Sequence, residues 1–335
     1  MMSKNKTATL MEVARLAGVC RSAAGKVLNG TGGSIRVGSA ARERVTEAAR
    51  KLKYRPNMAG AVLAGGDSRL IGVILDSQGH YRNLRLLIEL EALCTENGYQ
   101  LLTCFSHDNP RVMSRNYSML MRYGVTGVIC CAHDYPGLIS EVEAIFDDGG
   151  RVVFMEKPEF EAENYVETKR TNAFRKMISS ALASGYRRIG AVHGDSIWSS
   201  ERKLRNEFRQ ALSDCGIEPD DRFLYQYSEE AGTAERCGEA MRRLILPQKP
   251  DFLFVHDAPS AVFLQNLIRE AGLEVTLHGG DDDPVFSGFL PRTGSLDPHY
   301  RRIAELLFET ASGKRPECRE TVETVFRRNS IRRKR

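Results

Sequence analysis

Thr9-Leu10-Met11-Glu12-Val13-Ala14-Arg15-Leu16-Ala17-Gly18-Val19-Cys20-Arg21-Ser22 decides the fold of the N-terminal part of this chain. Thr9 and Glu12 have capping-box spacing: the Thr hydroxyl accepts from the amide three residues on, and Glu12 reaches back. Val13, Ala14, Leu16 and Ala17 then form a helical apolar face. Gly18 ends that helix, because the turn favours a residue that tolerates positive φ. A second helix runs from about Arg21 to Leu28 and stops at Asn29-Gly30. A third spans roughly Ser39 to Leu52, with Val45, Ala48, Ala49 and Leu52 inward and Tyr54 packing back on the trio. Two short helices crossing at small residues, followed by a third, are a helix-turn-helix. Its second helix presents N-terminal side chains to the major groove. Those side chains are Cys20, Arg21 and Ser22, with Lys26 one turn on. Arg21 can pair bidentately with guanine, Lys26 with guanine or phosphate, and Ser22 with either kind of group.

Working outward, Tyr54-Arg55-Pro56-Asn57 leads into Met58–Ala64 and Gly65-Gly66. Pro56 stops the third helix at Arg55. Asn57 can cap a short helix over Met58–Ala64, marginal by itself and weakened by Gly60. DNA could order such a helix, with Leu63 as a minor-groove wedge; the alternative is a plain linker. Charge supports the DNA reading. The chain has 335 residues and a net charge of +5. Residues 1–69 hold thirteen Lys/Arg against four Asp/Glu, a net +9, whereas 70–326 carry −10 and the tail after Phe326 +6. A basic head on an acidic body suits a polyanion.

Glu12-Val13-Ala14-x-x-Ala17-Gly18-Val19, Lys26-Val27-Leu28-Asn29, Arg42-x-Arg44-Val45 and Tyr54-Arg55-Pro56-Asn57 resemble the head of the LacI/GalR family of bacterial transcriptional repressors, and the likeness continues to Ser330. It implies a homodimer on double-stranded DNA at a pseudo-palindromic operator. The implied DNA-contacting set is Thr9, Cys20, Arg21, Ser22, Lys26, Asn29, Tyr54, Asn57 and Leu63. Departures from the family pattern imply an altered operator: Cys20 for Ser, Ala23-Ala24-Gly25 for Thr-Val-Ser, Lys26 for Arg, Gly38 for the capping Ser, Gly60 for Ala, and a longer loop before Val37.

From Leu70 on, short apolar runs alternate with helical patterns. The runs are Leu70–Leu75, Gln100–Cys104, Gly127–Cys131, Val152–Met155, Arg188–Val192, Phe223–Tyr227, Phe252–Val255 and Val275–His278. Strand–helix alternation predicts parallel, doubly wound sheets, and the strand number predicts two α/β lobes. Together with the family resemblance, which implies a periplasmic-binding-protein-like body whose chain crosses between the lobes three times, the expected fold class is a small all-α helix-turn-helix head (1–56), a hinge helix and linker (57–69), a two-lobe periplasmic-binding-protein-like body (70–326) and a basic tail (327–335). Lobe crossings are expected near Val166, Thr293 and Thr321.

Such a body binds a small molecule where strand C-termini of both lobes meet. The candidates are Asp76 and Tyr81 after the first strand, Trp198 and Arg202 in Trp-Ser-Ser-Glu-Arg, His256-Asp257, and Asp281 in Gly279-Gly280-Asp281-Asp282. In the family, residues at the places of Arg202 and Asp281 bind sugar hydroxyls, and an aromatic near Trp198 stacks on the ligand. Lys169 and Arg170 in Thr168-Lys169-Arg170 hint at an acidic or phosphorylated effector. Each of these residues also has an ordinary reading, as a structural polar contact.

Other classes find no support. There is no apolar run long enough to span a membrane, no secretory signal and no Cys-x-x-Cys, which points to a reduced, cytoplasmic protein with mostly inert thiols. Gly30-x-Gly32-Gly33 follows a helix, so it is not a dinucleotide loop. Asp281-Asp282-Asp283 lacks the partners of a metal site. No catalytic motif, cofactor or metal is expected. The leading reading is a sequence-specific transcriptional regulator, a repressor controlled by a small polar effector such as a sugar or sugar derivative. The rivals are a small-molecule binding protein with a decayed DNA head, supported by Ala23 and Gly25, and an enzyme on the two-lobe body.

Overall fold

The computed structural model describes residues 8–29, 35–55, 68–77, 80–228, 231–286 and 294–328. Two compact units divide at Arg69–Leu70. The expected hinge helix, with Asn57 and Leu63, and the tail beyond Arg328 lie outside the described residues.

The first unit is three helices, α1 (Leu10–Ala17), α2 (Arg21–Asn29) and α3 (Ser39–Lys51). The Thr9–Glu12 capping box forms in full, and Gly18 closes α1 at φ 63°. Val13, Ala14, Ala17, Ala24, Val45, Ala48 and Ala49 make the core, with Leu52 and Tyr54 packed on it. Arg44 donates its Nε–H to the Ala17 carbonyl at 3.1 Å, tying α3 to the turn between α1 and α2. α3 ends at Lys51, not at Arg55: Lys53 adopts φ 51° and reverses the chain before Pro56 can act.

The second unit is two α/β lobes. Lobe 1 holds β1 (Leu70–Leu75), α4 (His80–Asn97), β2 (Gln100–Phe105), α5 (Pro110–Arg122), β3 (Gly127–Cys130), α6 (Ile139–Glu143), β4 (Val152–Met155) and β5 (Tyr165–Lys169). Lobe 2 holds α7 (Thr171–Ala183), β6 (Ile189–Gly194), α8 (Ser199–Asp214), β7 (Leu224–Tyr227), α9 (Thr233–Ala240), β8 (Phe252–Val255), α10 (Ala258–Glu270), β9 (Thr276–Gly279) and β10 (Gly294–Asp297). The chain then returns to lobe 1 with α11 (Tyr300–Ala311) and β11 (Arg319–Glu323), and ends in lobe 2 with β12 (Val325–Arg328). Strand order is β11-β5-β4-β3-β1-β2 in one sheet and β12-β10-β9-β8-β6-β7 in the other, parallel except that β12 runs antiparallel to β10. Each sheet is covered on both faces. α4 and α11 pack on one side of the first and α5 on the other; α9 and α10 pack on one face of the second and α7 and α8 on the other. That is why β1, β3, β4, β6 and β8 read as continuous apolar runs.

The crossings fall at Arg170, Pro298–His299 and Thr324, three to six residues beyond the expected points. The reason is that β5, β10, β11 and β12 exist without announcing themselves. β11 (Arg-Glu-Thr-Val-Glu) is an edge strand with one buried residue, and β5 beside it alternates Glu and Lys with Val and Thr. Among the described residues no helix is long and apolar enough to cross a membrane.

Candidate functional site

The head offers one cationic helix end. Cys20, Arg21 and Ser22 are exposed at the start of α2, where backbone N–H groups are unsatisfied and an anion is favoured. Lys26, one turn later, is half-buried, and Ala24 and Gly25 face inward. Asn29 is the last residue of α2. Tyr54 is half-buried against the head core. Thr9 has a structural duty: its hydroxyl accepts from the Glu12 amide at 3.3 Å and donates to the Glu12 carboxylate at 3.0 Å. Gly38 stands at the N-cap of α3 with no side chain to cap it.

In the body, the C-terminal ends of β1, β3, β4 and β5 face those of β6, β7, β8 and β9 across a cavity of about 190 Å³. Asp76, Tyr81, Trp198, His256, Asp257 and Asp281 all line it. Arg202 does not. On α8, Glu201, Leu204, Phe208 and Ala211 point inward, so Arg202 is turned about 100° away from Glu201. Arg202 instead pairs with Glu159 of lobe 1 at 2.5 Å and donates to the Ser196 carbonyl at 3.1 Å.

Glu201 therefore reaches the cavity wall where Arg202 was expected. Its carboxylate accepts from the Gly194 amide at 2.9 Å and lies 2.8 Å from His256 Nδ1. Burial opposes the charge on both partners. The contact nonetheless holds the Glu201 carboxyl at about 2 and lifts the His256 imidazole above its ordinary range. His193, on the far side of Glu201 at 3.9 Å, is pushed down by burial. Asp257 caps α10 through the Ser260 amide (2.8 Å), takes the Tyr227 hydroxyl (3.0 Å) and pairs with Arg236 (2.9 Å). The Arg236 guanidinium lies over the Tyr227 ring, 4.6 Å from its centre.

Lobe 1 contributes Glu156, which accepts from the Thr168 amide (3.2 Å) and hydroxyl (2.5 Å) and lies 3.3 Å from Lys203 and 3.7 Å from Arg170. Burial would raise this carboxyl, but Arg170, Lys203 and Thr168 bring it down to about 2. The Arg170 guanidinium lies between Glu156 and Glu207, and Lys169 lines a separate polar hollow with Arg202 and Lys203. The cations at 168–170 thus give the cavity no surplus positive charge: its wall carries eight Asp/Glu against three Arg. Reading the sequence for β5 would have placed Arg170 at a strand end; Arg82, Asp134 and Glu201 carried no local signal. Asp134 bridges the lobes, its carboxylate accepting from the Ser199 hydroxyl (2.8 Å) and the Ser200 amide (3.0 Å) at the start of α8.

Comparison with known proteins agrees with this layout. Residues 9–57 match the family described as bacterial regulatory proteins, lacI family, and residues 158–331 the periplasmic binding protein-like domain. The sucrose operon repressor of Klebsiella pneumoniae is 28% identical over 94% of this chain and 95% of its own. The transcriptional repressor PurR of Photobacterium profundum is 23% identical over 93% and 94%. A lac repressor dimer bound to operator and the anti-inducer ONPF superposes with a TM-score of 0.78 at 19% identity, covering 97% of this chain and 99% of that one. The transcriptional regulator CelR in complex with cellobiose gives 0.66 at 22% identity, covering 97% and 100%. The structural likenesses establish the fold.

Proposed function

Because the chain belongs to the lacI family of bacterial regulatory proteins, we propose that it is a cytoplasmic transcriptional repressor gated by a small polar effector. It would act as a homodimer, since one small head covers few base pairs and a two-fold pair reads two half-sites. The observation that carries this reading is the coexistence in one chain of an exposed Arg21–Ser22 helix start and a ligand-sized cavity between two lobes. Arg21 and Ser22 are assigned to base and phosphate contact, with Cys20 and Lys26 beside them. Thr9, Asn29 and Tyr54 are assigned to DNA contact by resemblance, as are Asn57 and Leu63 at the operator centre. Asp76, Tyr81, Trp198, His256, Asp257 and Asp281 are assigned to effector contact. Arg202 is assigned to lobe pairing through Glu159. No residue is given a catalytic role: Glu201 holds His256 as a neighbour in the wall, and the homologous proteins are regulators.

Titration of the full chain against an operator duplex tests this. Arg21→Ala is expected to relax base preference at one symmetric pair of positions and to cost about 1–3 kcal/mol per contact. Equal weakening on every sequence would reduce Arg21 to a phosphate contact. Absence of any preferred duplex for the parent chain would favour the reading of a sensor whose head has decayed.

A further inference from the structure

The two walls of the cavity carry the same sign of charge. Among the described residues lobe 1 lines it with four Asp/Glu and one Arg, and lobe 2 does the same, with Arg170 at the crossing between them. Closing the lobes therefore brings two net-negative surfaces together. The contacts that hold them closed, Asp134 at the start of α8 and Lys203 with Glu156 and Glu167, act against that repulsion. Any group in the walls that changes charge near neutrality changes the balance.

Two histidines line the walls, one on each lobe. His133 of lobe 1 is buried with Nε2 2.9 Å from the Met155 carbonyl, and burial pushes its pKa down, so it stays neutral. His256 follows β8 in lobe 2 and is set differently. Its Nδ1–H donates to Glu201 at 2.8 Å, and the Gly194 amide holds that carboxylate from the other side at 2.9 Å. The charged and titratable groups around it are Glu201 from α8, His193 from β6, Asp281 after β9 and Arg170 ahead of α7. Burial and Arg170 disfavour the imidazolium, but Glu201 and Asp281 outweigh them. His193 donates Nδ1–H to the Gly194 carbonyl at 2.8 Å and is kept neutral by burial, with Arg205 acting in the same direction. The adjacent Asp257 is engaged by Arg236 and by the start of α10. The acids and Arg82 of lobe 1 stand across the cavity. A proton on His256 makes the lobe 2 wall less negative by one charge. Because Coulomb repulsion follows the product of the two wall charges, formally three against three, it falls by about a third.

We propose that Glu201 and His256 form a pH-sensitive latch between the lobes: a proton taken up by His256 favours the closed cleft, and its release favours the open one, whether or not an effector is bound. Glu201 acts as the positioning residue, which keeps the proton on the imidazole in the low-pH form. This rests on the reading of the cleft as the regulatory site and adds the proton to what controls it. By linkage, anything that holds the lobes closed must also bind the His256 proton more tightly.

The test is small-angle scattering of the full chain, without ligand, on both sides of the His256 titration midpoint. Carbon-13 NMR of histidine Cε1 locates that midpoint, as the signal that His256→Asn lacks. The radius of gyration of the parent chain is expected to rise as pH passes upward through it, with the closed-to-open ratio falling about tenfold for each unit by which the midpoint differs between the two forms. His256→Asn is expected to keep one radius throughout. Glu201→Gln keeps the imidazole but removes its carboxylate, so the midpoint and the change in radius are expected to move together to lower pH by about one unit or more. The exposed His107→Asn is expected to follow the parent chain. Far-UV circular dichroism shows whether each variant is folded, and His256→Gln replaces the Asn variant if it is not. A parent radius that ignores pH, or a pH response retained in His256→Asn, overturns the latch. A radius that follows His256 while operator affinity changes no differently in the parent chain and in His256→Asn supports the latch and overturns the reading of the cleft as the gate.

Discussion

His256 is held by one buried carboxylate, and the sign of that arrangement can be followed through pH. Its folded pKa lies above the reference 6.5, because the Glu201 and Asp281 charges outweigh its burial. Its contribution to stability is therefore complete below about pH 6.5 and is lost as pH rises through the folded value. Glu201 is depressed from 4.5 to about 2, so its contribution is present above 4.5 and lost as pH falls towards 2. His193, pushed down by burial, opposes folding at low pH in parent and variant alike. The stability margin of the parent chain over His256→Asn, from urea unfolding, is expected to be full below about pH 6.5 and to shrink as pH rises above it. A margin independent of pH would show that His256 is not charged in the folded protein. At this scale the sequence was readable where position along a strand sufficed: Asp76, His256, Asp257 and Asp281 follow strand ends and line the cavity. It misled at Arg202, where one step around α8 separates the cavity from the lobe contact. It was silent at Arg82, because nothing local marks a surface-type residue as turned inward.

Helix α8 begins at an N-cap, Trp198, whose side chain makes no cap hydrogen bond. Asp134 of the opposite lobe supplies the missing acceptor at the Ser200 amide. Opening the cleft would therefore uncap a helix. Asp134→Ala is expected to cost about 1 kcal/mol, the scale of a lost cap, and to shift lobe closure about fivefold towards the open form. Small-angle scattering of the full chain reads this as a larger radius of gyration; an unchanged radius would mean that Arg202–Glu159 and Lys203–Glu167 hold the lobes by themselves. A second element contact is tighter. α11 lies so close over β3 that a Cβ on Gly127 would sit 2.2 Å from the Ala311 carbonyl oxygen. Because backbone cannot give way as a side-chain end can, Gly127→Ala is expected to cost about 1–3 kcal/mol in thermal unfolding. An unaltered midpoint would contradict this packing. Doubly buried strands and capped helices were legible because burial and capping constrain their composition: Val152–Met155, Phe252–Val255 and Leu10–Ala17 fall where apolar runs and caps place them. β11 and β12 were not, since edge strands carry no such constraint.

Over the whole molecule, charge separates the two tasks. A head of net +9 suits a polyanion such as DNA, and a body of net −10 does not. Operator affinity is accordingly expected to fall steeply and linearly on a logarithmic salt scale, with a shallower slope after Lys26→Ala if that residue meets phosphate. If the effector alters operator affinity by some factor, operator must alter effector affinity by the same factor. The most direct measurement is selection of duplexes bound by the full chain from a random pool at low salt, run in parallel with Arg21→Ala. One pseudo-palindrome is expected to be enriched by the parent chain, with its preference relaxed at one symmetric pair of positions in the variant. Enrichment of no palindrome, or the same palindrome equally enriched by both proteins, would contradict this reading.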